Sequence, residues 1–168
     1  MVYLYIKLLL LTLLLFDVRN ATASATQNNC PRGWTDATEY GMGCLLFNVN
    51  QTTTWPEAQH FCYNLDHEAA LVEIYSVMQQ EFMEAKAFEI EALSGTDRIW
   101  WIGATDIGSE GVWYWAHSHR LVDFSAWYPG QPDNKYVHES YATLWSMFDY
   151  KWNDNVDDNK SYGICQKI

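Results

Sequence analysis

The chain has 168 residues, a length that allows one domain and little more. Its formal net charge of −11 excludes an electrostatic attraction to nucleic acid or to anionic membranes and favours cations instead. Nine Trp and eleven Tyr residues give a domain of this size enough apolar surface to bury a sizeable core.

The first 25 residues are predicted to be a secretory signal peptide. A basic start precedes an apolar run at 8–16, and small residues that suit signal peptidase follow at 21–25. The apolar run is shorter than the ~20 residues that a membrane-spanning helix needs. We therefore expect residues 26–168 to form one secreted, extracellular domain that does not insert into membranes.

The first half of that domain predicts two helices, each preceded by a short strand. The strand patterns lie at 43–49 and 69–74. Thr54 opens the first helix with a capping box, and Ser76 caps the second. Helical spacing places Cys62 on the buried face of the first helix. The buried face of the second helix is predicted from its apolar residues, which are Val77, Phe82, Ala85 and Ile90.

The second half predicts strands separated by one long loop. Strand-like segments occur at 99–104 and 112–115, and closing strands at 141–147, 150–152 and 162–166. Residues 116–139 include Pro129 and Pro132 and have no regular pattern. A loop of this length in a compact domain is usually functional. The order of elements indicates an α+β fold.

Four cysteines follow the signal peptide: Cys30, Cys44, Cys62 and Cys165. Their number and the secretory start favour an oxidising compartment and two disulfides. Four cysteines allow three pairings, and their spacing does not decide among these. Asn50 and Asn159 begin sequons that are open to N-glycosylation in a secreted chain.

Several short motifs occur in one order, and together they resemble a long-form C-type lectin domain from about residue 30 to the end. The motifs are Cys30-Pro31-x-Gly33-Trp34, Cys62, Trp101-Ile102-Gly103, Gln131-Pro132-Asp133, Trp152-Asn153-Asp154 and Cys165. The resemblance implies two helices with antiparallel sheets and a long calcium- and sugar-binding loop. It also implies the pairs Cys30–Cys44 and Cys62–Cys165. A further disulfide usual in the family is missing, because its two positions hold Tyr141 and Asp157.

The resemblance also implies a calcium site with five side-chain ligands: Gln131, Asp133, Glu139, Asn153 and Asp154. Calcium takes about six to eight oxygen ligands, and these side chains offer only carboxylate and amide oxygens of that kind. In the family the bond before Pro132 is cis, which lets the side chains on either side of the proline converge. The same five side chains are implied as sugar ligands, since acids accept and amides donate hydrogen bonds to two calcium-bound hydroxyls.

The order of amide and acid in Gln131-Pro132-Asp133 is similar to that of galactose- and N-acetylgalactosamine-binding members. Mannose-binding members carry Glu-Pro-Asn at these positions. Many galactose binders place a Trp two residues after the Asp, where this chain has Lys135. Tyr136 or His138 is left as the alternative source of a stacking ring, and Trp127 and Tyr128 are the other aromatic candidates for a surface role.

An auxiliary calcium site is a further expectation from the family. Asp106 and Glu110 match two of its carboxylates, whereas Asn134 and Ser140 replace two acids. Two solvated acids beside a turn explain the first pair equally well.

These features predict a secreted calcium-dependent carbohydrate-binding protein of the galactose or N-acetylgalactosamine type, acting on cell-surface or microbial glycans in innate immunity. We do not expect an enzyme, because calcium binding explains the acids and no metalloprotease or serine-hydrolase motif occurs. The alternative is a protein-binding module on the same fold, without calcium-dependent sugar binding. No cysteine is left over for a covalent dimer, so multivalency would need a noncovalent dimer.

Overall fold

The computed structural model describes residues 30–136 and 138–168, so the expected signal peptide lies outside the described residues. The described chain forms two α-helices and eight strands, with two short 3-10 helices at Thr38–Tyr40 and Ser146–Phe148. In chain order the elements are β1 (Thr35–Asp36), β2 (Cys44–Phe47), α1 (Trp55–Leu65), β3 (Ala69–Leu71), α2 (Val77–Ser94), β4 (Ile99–Thr105), β5 (Tyr114–Trp115), β6 (Tyr141–Trp145), β7 (Lys151–Asn155) and β8 (Tyr162–Lys167).

The strands form one mixed sheet. Its order is β1-β2-β8-β4-β6-β7, with β3 beside β8 and β5 beside β4. The pairing of β4 with β8 is parallel, with Trp100 opposite Tyr162, so the expectation of purely antiparallel sheets is wrong at this point. A period-two pattern marks a strand but not its direction, and a parallel neighbour requires a long crossover. Residues 106–161 supply that crossover and contain the candidate site.

The start of α1 agrees with its sequence. Thr54 and Glu57 form the predicted capping box, and Pro56 lies in the first turn. Trp55, Ala58 and Cys62 are buried, as helical spacing predicts for Cys62.

Both implied disulfides are confirmed. Cys30 is bonded to Cys44, and Cys62 to Cys165, with sequence separations of 14 and 103 residues. The second disulfide joins α1 to β8, and therefore ties the first half of the chain to its last strand.

The buried face of α2 differs from the predicted one. Val77 is 60% exposed and Ala85 is also exposed, whereas Phe82 and Ile90 are partly buried. The buried residues of this helix are Gln79, Gln80, Met83 and Ala87. Apolar periodicity missed the two glutamines, because polar side chains are buried only where they find hydrogen-bond partners.

Gln80 has such partners. Its side-chain amide donates to the Tyr150 carbonyl at 3.0 Å, and its amide oxygen accepts from Trp152 Nε1 at 2.8 Å. The glutamine thereby joins α2 to β7, the strand that carries two of the predicted ligands.

The Trp101-Ile102-Gly103 motif has a packing role. The indole of Trp101 donates to the Thr53 carbonyl at 2.8 Å, and the Ile102 carbonyl accepts from the indole of Trp55 at 2.8 Å. A Cβ at Gly103 would lie 2.8 Å from the Leu71 carbonyl oxygen, so only glycine allows this approach of β4.

The long loop rests on the core through Trp152, whose side chain is fully buried. Trp127 and Phe124 contact its ring at centroid distances of 5.4 and 6.2 Å. Trp152 N donates to the Ala126 carbonyl, and its carbonyl accepts from Tyr128 N, both at 2.9 Å. Trp127 is therefore a packing residue, while Tyr128 remains at the surface.

Neither helix in the described parts of the chain has the length and apolar character needed to cross a bilayer.

Candidate functional site

The loop turns sharply at its predicted motif. The Gln131–Pro132 bond is cis, as the resemblance implies. Gln131 N donates to the Tyr128 carbonyl at 2.8 Å, and Gln131 Oε1 accepts from Asp133 N at 3.1 Å. These contacts hold Gln131 and Asp133 on the same side of the turn.

Asp154 lies beneath this turn and is fully buried. It occupies β7 opposite Ala142 of β6. Its carboxylate accepts from Asp133 N at 3.2 Å and from Asn134 N at 2.8 Å. A strand residue therefore orders the backbone of the loop that it faces.

Glu139 reaches the same point from the far end of the loop, just before β6. It is 4% exposed. One carboxylate oxygen accepts from Tyr136 N at 3.4 Å, and the Asn134 side-chain oxygen accepts from Glu139 N at 3.3 Å.

The carboxylates of Asp133, Glu139 and Asp154 converge. One oxygen from each lies within 4.8 Å of the other two, and no other group of three such His, Cys, Asp or Glu ligands occurs in the described residues. Burial raises the pKa of Glu139 above its usual range, and the charge of Asp154 raises it further. Burial also raises the pKa of Asp154, and the backbone hydrogen bonds from Asn134 and Asp133 partly offset this increase. A divalent cation would relieve both effects.

The predicted amide ligands join the acids at one open cavity of about 350 Å³. Gln131, Asp133, Glu139 and Asn153 line this cavity, which we call the site cavity, and Asp154 is buried beside them. The structure thus brings all five predicted side chains to one place. The metal-ligand atoms that these side chains offer are carboxylate and amide oxygens, without sulfur or imidazole nitrogen, so the set fits calcium better than a transition metal.

The auxiliary pair is arranged differently. Asp106 is 2% exposed, and its carboxylate accepts from Gly111 N at 2.8 Å while one oxygen has no hydrogen-bond partner in the described chain. Glu110 is exposed and accepts from the Asn134 side-chain amide at 2.5 Å. Ser140 contributes its carbonyl, which accepts from Thr105 Oγ1 and Asp106 N at 2.7 and 3.2 Å. A cation held by Asp106 and Glu110 stays a prediction.

The two residues at the positions of the family's missing disulfide, Tyr141 and Asp157, have different surroundings. Tyr141 is 5% exposed and stacks on Trp55 of α1 with ring centroids 4.7 Å apart. Tyr141 also pairs with Asn155 across β6 and β7. Asp157 is exposed and lines a second cavity of about 460 Å³ together with His138. His138 therefore lines a different cavity from the predicted ligands.

Tyr136 and Lys135 do lie at the site cavity. Tyr136 is 65% exposed, and the Lys135 ammonium lies 5.4 Å from the centre of its ring. No site role was predicted from the sequence for five further cavity residues, which are Ile99, Trp145, Met147, Phe148 and Asn155, and Asn159 was predicted only as a glycosylation site. For Trp145, Met147 and Phe148 the available signal was the apolar character of the β6–β7 turn, which the strand pattern assigned to the closing strands.

Two helices against a mixed sheet, two disulfides and a loop with convergent acids define the class of C-type lectin-like domains. Residues 51–167 match the family model described as the Lectin C-type domain. The chain belongs to this family, whose members are generally non-enzymatic carbohydrate-binding proteins and usually bind calcium.

Known proteins of this family resemble the chain over most of its length. It is 30% identical over 148 residues to the galactose-specific lectin nattectin of Thalassophryne nattereri, covering 88% of this chain and 86% of nattectin. It is 29% identical over 161 residues to a perlucin-like protein of Mytilus galloprovincialis, covering 93% and 95% of the two chains. Among solved structures, the C-type lectin CEL-I of Cucumaria echinata superposes with a TM-score of 0.70 at 26% identity, covering 82% of this chain and 96% of CEL-I.

Proposed function

We propose that the protein is a secreted, calcium-dependent lectin for glycans that end in galactose or N-acetylgalactosamine. The observation that carries the proposal is the convergence of Asp133, Glu139 and Asp154, with carboxylate oxygens within 4.8 Å of one another. Three acids this close favour a bound cation, and the cavity beside them leaves room for a sugar ring.

In this proposal Asp154 is the buried anchor of the calcium site and Asp133 the exposed ligand at the cavity. Calcium would supply coordination for two vicinal sugar hydroxyls. The carboxylates of Asp133 and Glu139 would accept hydrogen bonds from those hydroxyls, and the amides of Gln131 and Asn153 would donate to them.

Two findings support the galactose class. The chain carries Gln131 before and Asp133 after the cis proline, which is the galactose-type order of amide and acid. Nattectin, a relative at 30% identity, is named as a galactose-specific lectin. Lys135 stands where many galactose binders have a Trp. We therefore expect a weak monosaccharide affinity, with a Kd in the millimolar range and a binding free energy of about −4 kcal/mol.

The direct test is retention on galactose-agarose in calcium, beside mannose-agarose, followed by elution with a chelator. Retention on galactose alone and release by the chelator are expected. Retention on mannose alone would refute the galactose class but keep the calcium-dependent lectin. Retention that persists in chelator would refute the calcium site.

A second candidate, a protein-binding module, is favoured by Lys135 and by the missing loop disulfide. It predicts a partner captured equally well in chelator and in excess galactose. Capture in chelator separates the two functions, whereas calcium titration alone does not, because calcium is either structural or absent in the protein-binding module. A second ion in the same titration would support the auxiliary site at Asp106 and Glu110.

The proposal includes secretion after removal of residues 1–25, a single domain over residues 26–168, and N-glycosylation at Asn50 and Asn159. Both asparagines are exposed. Recognition of microbial or cell-surface glycans in innate immunity is the role we propose, with a noncovalent dimer as the route to multivalency.

A further inference from the structure

The site cavity extends beyond the predicted calcium ligands. From Gln131, Asp133 and Asn153 it continues to Trp145, Met147 and Phe148. We call these last three residues the hairpin ledge, because they lie where β6 turns into β7. One end of the cavity is therefore polar and acidic, and the other is aromatic and apolar.

The register of the hairpin sets the distance between these ends. Thr143 lies opposite Asn153, and Trp145 lies opposite Lys151 two residues further along. Two residues of a strand span about 7 Å. Trp145, the ledge residue nearest to the amide ligand Asn153, is thus about 7 Å from it along the sheet, and Met147 and Phe148 lie beyond Trp145 in the turn.

The ledge is held in place by aromatic contacts. Phe148 stacks on Tyr128, with ring centroids 4.3 Å apart and planes at 15°. Trp145 meets Phe148 edge to face at 5.0 Å. Tyr150, the last residue of the turn, is fully buried, and its hydroxyl donates to Glu91 of α2. The turn is therefore anchored at both ends.

Met147 at the tip of the turn is 71% exposed. Together with Trp145 and Phe148 it lines the apolar end of the cavity, and ligand sites combine such apolar and aromatic lining with a few placed polar groups. Sugar rings have apolar C–H faces that pack on aromatic and thioether groups, while their hydroxyls remain free for polar contacts.

We propose that the hairpin ledge is a second sugar subsite. It binds the C–H face of the sugar that is linked to the calcium-bound terminal sugar. The inference rests on the proposed calcium-dependent lectin function and names its ligand as an oligosaccharide. The cavity is continuous from the ligand cluster to the ledge, and Trp145 is paired only two strand residues away from Asn153. This short separation argues for a sugar that is linked directly to the terminal one.

The test compares monosaccharide and disaccharide affinities in calcium by titration calorimetry. The probes are methyl galactoside and a panel of galactose-terminated disaccharides that differ in linkage, with the corresponding mannosides alongside. We expect at least one disaccharide to bind about fivefold more tightly than its methyl glycoside. The double variant Met147→Ser and Phe148→Ser should lose this gain, measured as the ratio of the disaccharide affinity to the methyl glycoside affinity within the same variant.

Two controls keep the outcome interpretable. Met147→Ser alone changes an exposed residue and should remove part of the gain even if the double variant folds poorly. Leu93→Ser changes an apolar side chain that is 82% exposed on α2 and lies outside the site cavity, and should leave all affinities unchanged.

Failure of the subsite and failure of the lectin function give different results. Wild-type protein that binds a methyl glycoside in calcium, but binds no disaccharide more tightly, overturns the subsite alone. A gain for phenyl galactoside without a gain for any disaccharide also overturns it, since the ledge would then select a non-sugar apolar group. Absence of calcium-dependent binding to every methyl glycoside and to every disaccharide overturns the lectin function itself and the subsite with it.

Discussion

At the scale of single residues, Asp154 has the most demanding position in the site. It is fully buried beside Glu139 and Asp133, and it accepts hydrogen bonds from two loop amides. The same carboxylate therefore orders the loop and, in the proposed calcium site, would also face the cation. Few substitutions can preserve both roles.

We predict that Asp154→Asn and Glu139→Gln each lower calcium affinity by about 100-fold or more. Groups that only orient a metal ligand already contribute about 10–100-fold, and these two supply the ligand oxygens themselves. Titration calorimetry with calcium measures the effect. Glu81→Gln removes an equal charge from an exposed position of α2 and is the matched control. Wild-type affinity in both site variants would contradict the cluster as the calcium site.

A second residue-scale prediction concerns the class of sugar. Exchanging the amide and acid, with Gln131→Glu and Asp133→Asn together, should keep calcium binding and move retention from galactose-agarose to mannose-agarose. The ligand oxygens are conserved in this exchange, but the hydrogen-bond donors and acceptors trade places. If the exchange leaves the galactose preference unchanged, other residues of the cavity set the specificity.

Calcium should be released at a higher pH than from a site built of carboxylates with ordinary pKa values. Burial and the neighbouring acids raise the pKa values of Glu139 and Asp154 in the ion-free protein. Protons compete with calcium for a carboxylate below its pKa. Calcium affinity therefore falls as the pH decreases through these raised pKa values, and the fall begins above the usual carboxylate range near ~4. The loss approaches about tenfold per pH unit for each carboxylate that must ionise. A Kd that is constant between pH 7 and pH 4 would refute this.

At the scale of elements, side-chain hydrogen bonds join α2 to β7, the strand that carries two of the predicted ligands. Gln80 bonds the Tyr150 carbonyl and the Trp152 indole, next to Asn153. Both partners are buried.

Gln80→Ala should lower the free energy of unfolding by about 2 kcal/mol, because it leaves a buried carbonyl and a buried indole N–H without partners. Chemical denaturation measures the change, and Glu81→Ala on the exposed side of the helix is the control. A loss of a few tenths of a kcal/mol would mean that the side-chain network of Gln80 is replaced by other contacts.

Local sequence rules predicted the elements that depend on local chemistry. The capping box of α1 and the Ser76 N-cap of α2 are confirmed, because their hydrogen bonds join neighbouring residues. The face of α2 and the direction of β8 were missed, because both depend on partners distant in the sequence. The hairpin ledge was missed for the same reason, since only the register of β6 and β7 brings it to the site cavity.

At the scale of the whole molecule, the family resemblance carried the site further than local pattern could. Spacing alone does not show that Gln131 and Asn153 meet, because they lie on a loop and on a strand. The ordered motifs implied it, and the structure places both at the same cavity. What no motif indicated was the position of the second sequon relative to that cavity.

Asn159 lines the site cavity, and its side chain donates to Asn155. We expect that a glycan at Asn159, added in a secretory host, partly covers the cavity and lowers galactoside affinity severalfold. Comparing Asn159→Gln with the glycosylated wild type by titration tests this, with Asn50→Gln as the control between β2 and α1. Glycosylated and unglycosylated Asn159 proteins with equal affinity would contradict it.

The order of the sheet places β1 and β7 at opposite edges. Strand β2 pairs with both β1 and β8, so the start of the described chain and its last strand lie together, several strands from the ligand residues of β7. Strand β1 lies five strand spacings from β7, about 24 Å, and β8 lies three, about 14 Å. A fusion partner or a surface linker joined to β1 or β8 would thus be attached several strands away from the proposed sugar site. Arrays of this domain could be assembled through their ends with every binding site left accessible, and weak single contacts would add up to firm adhesion.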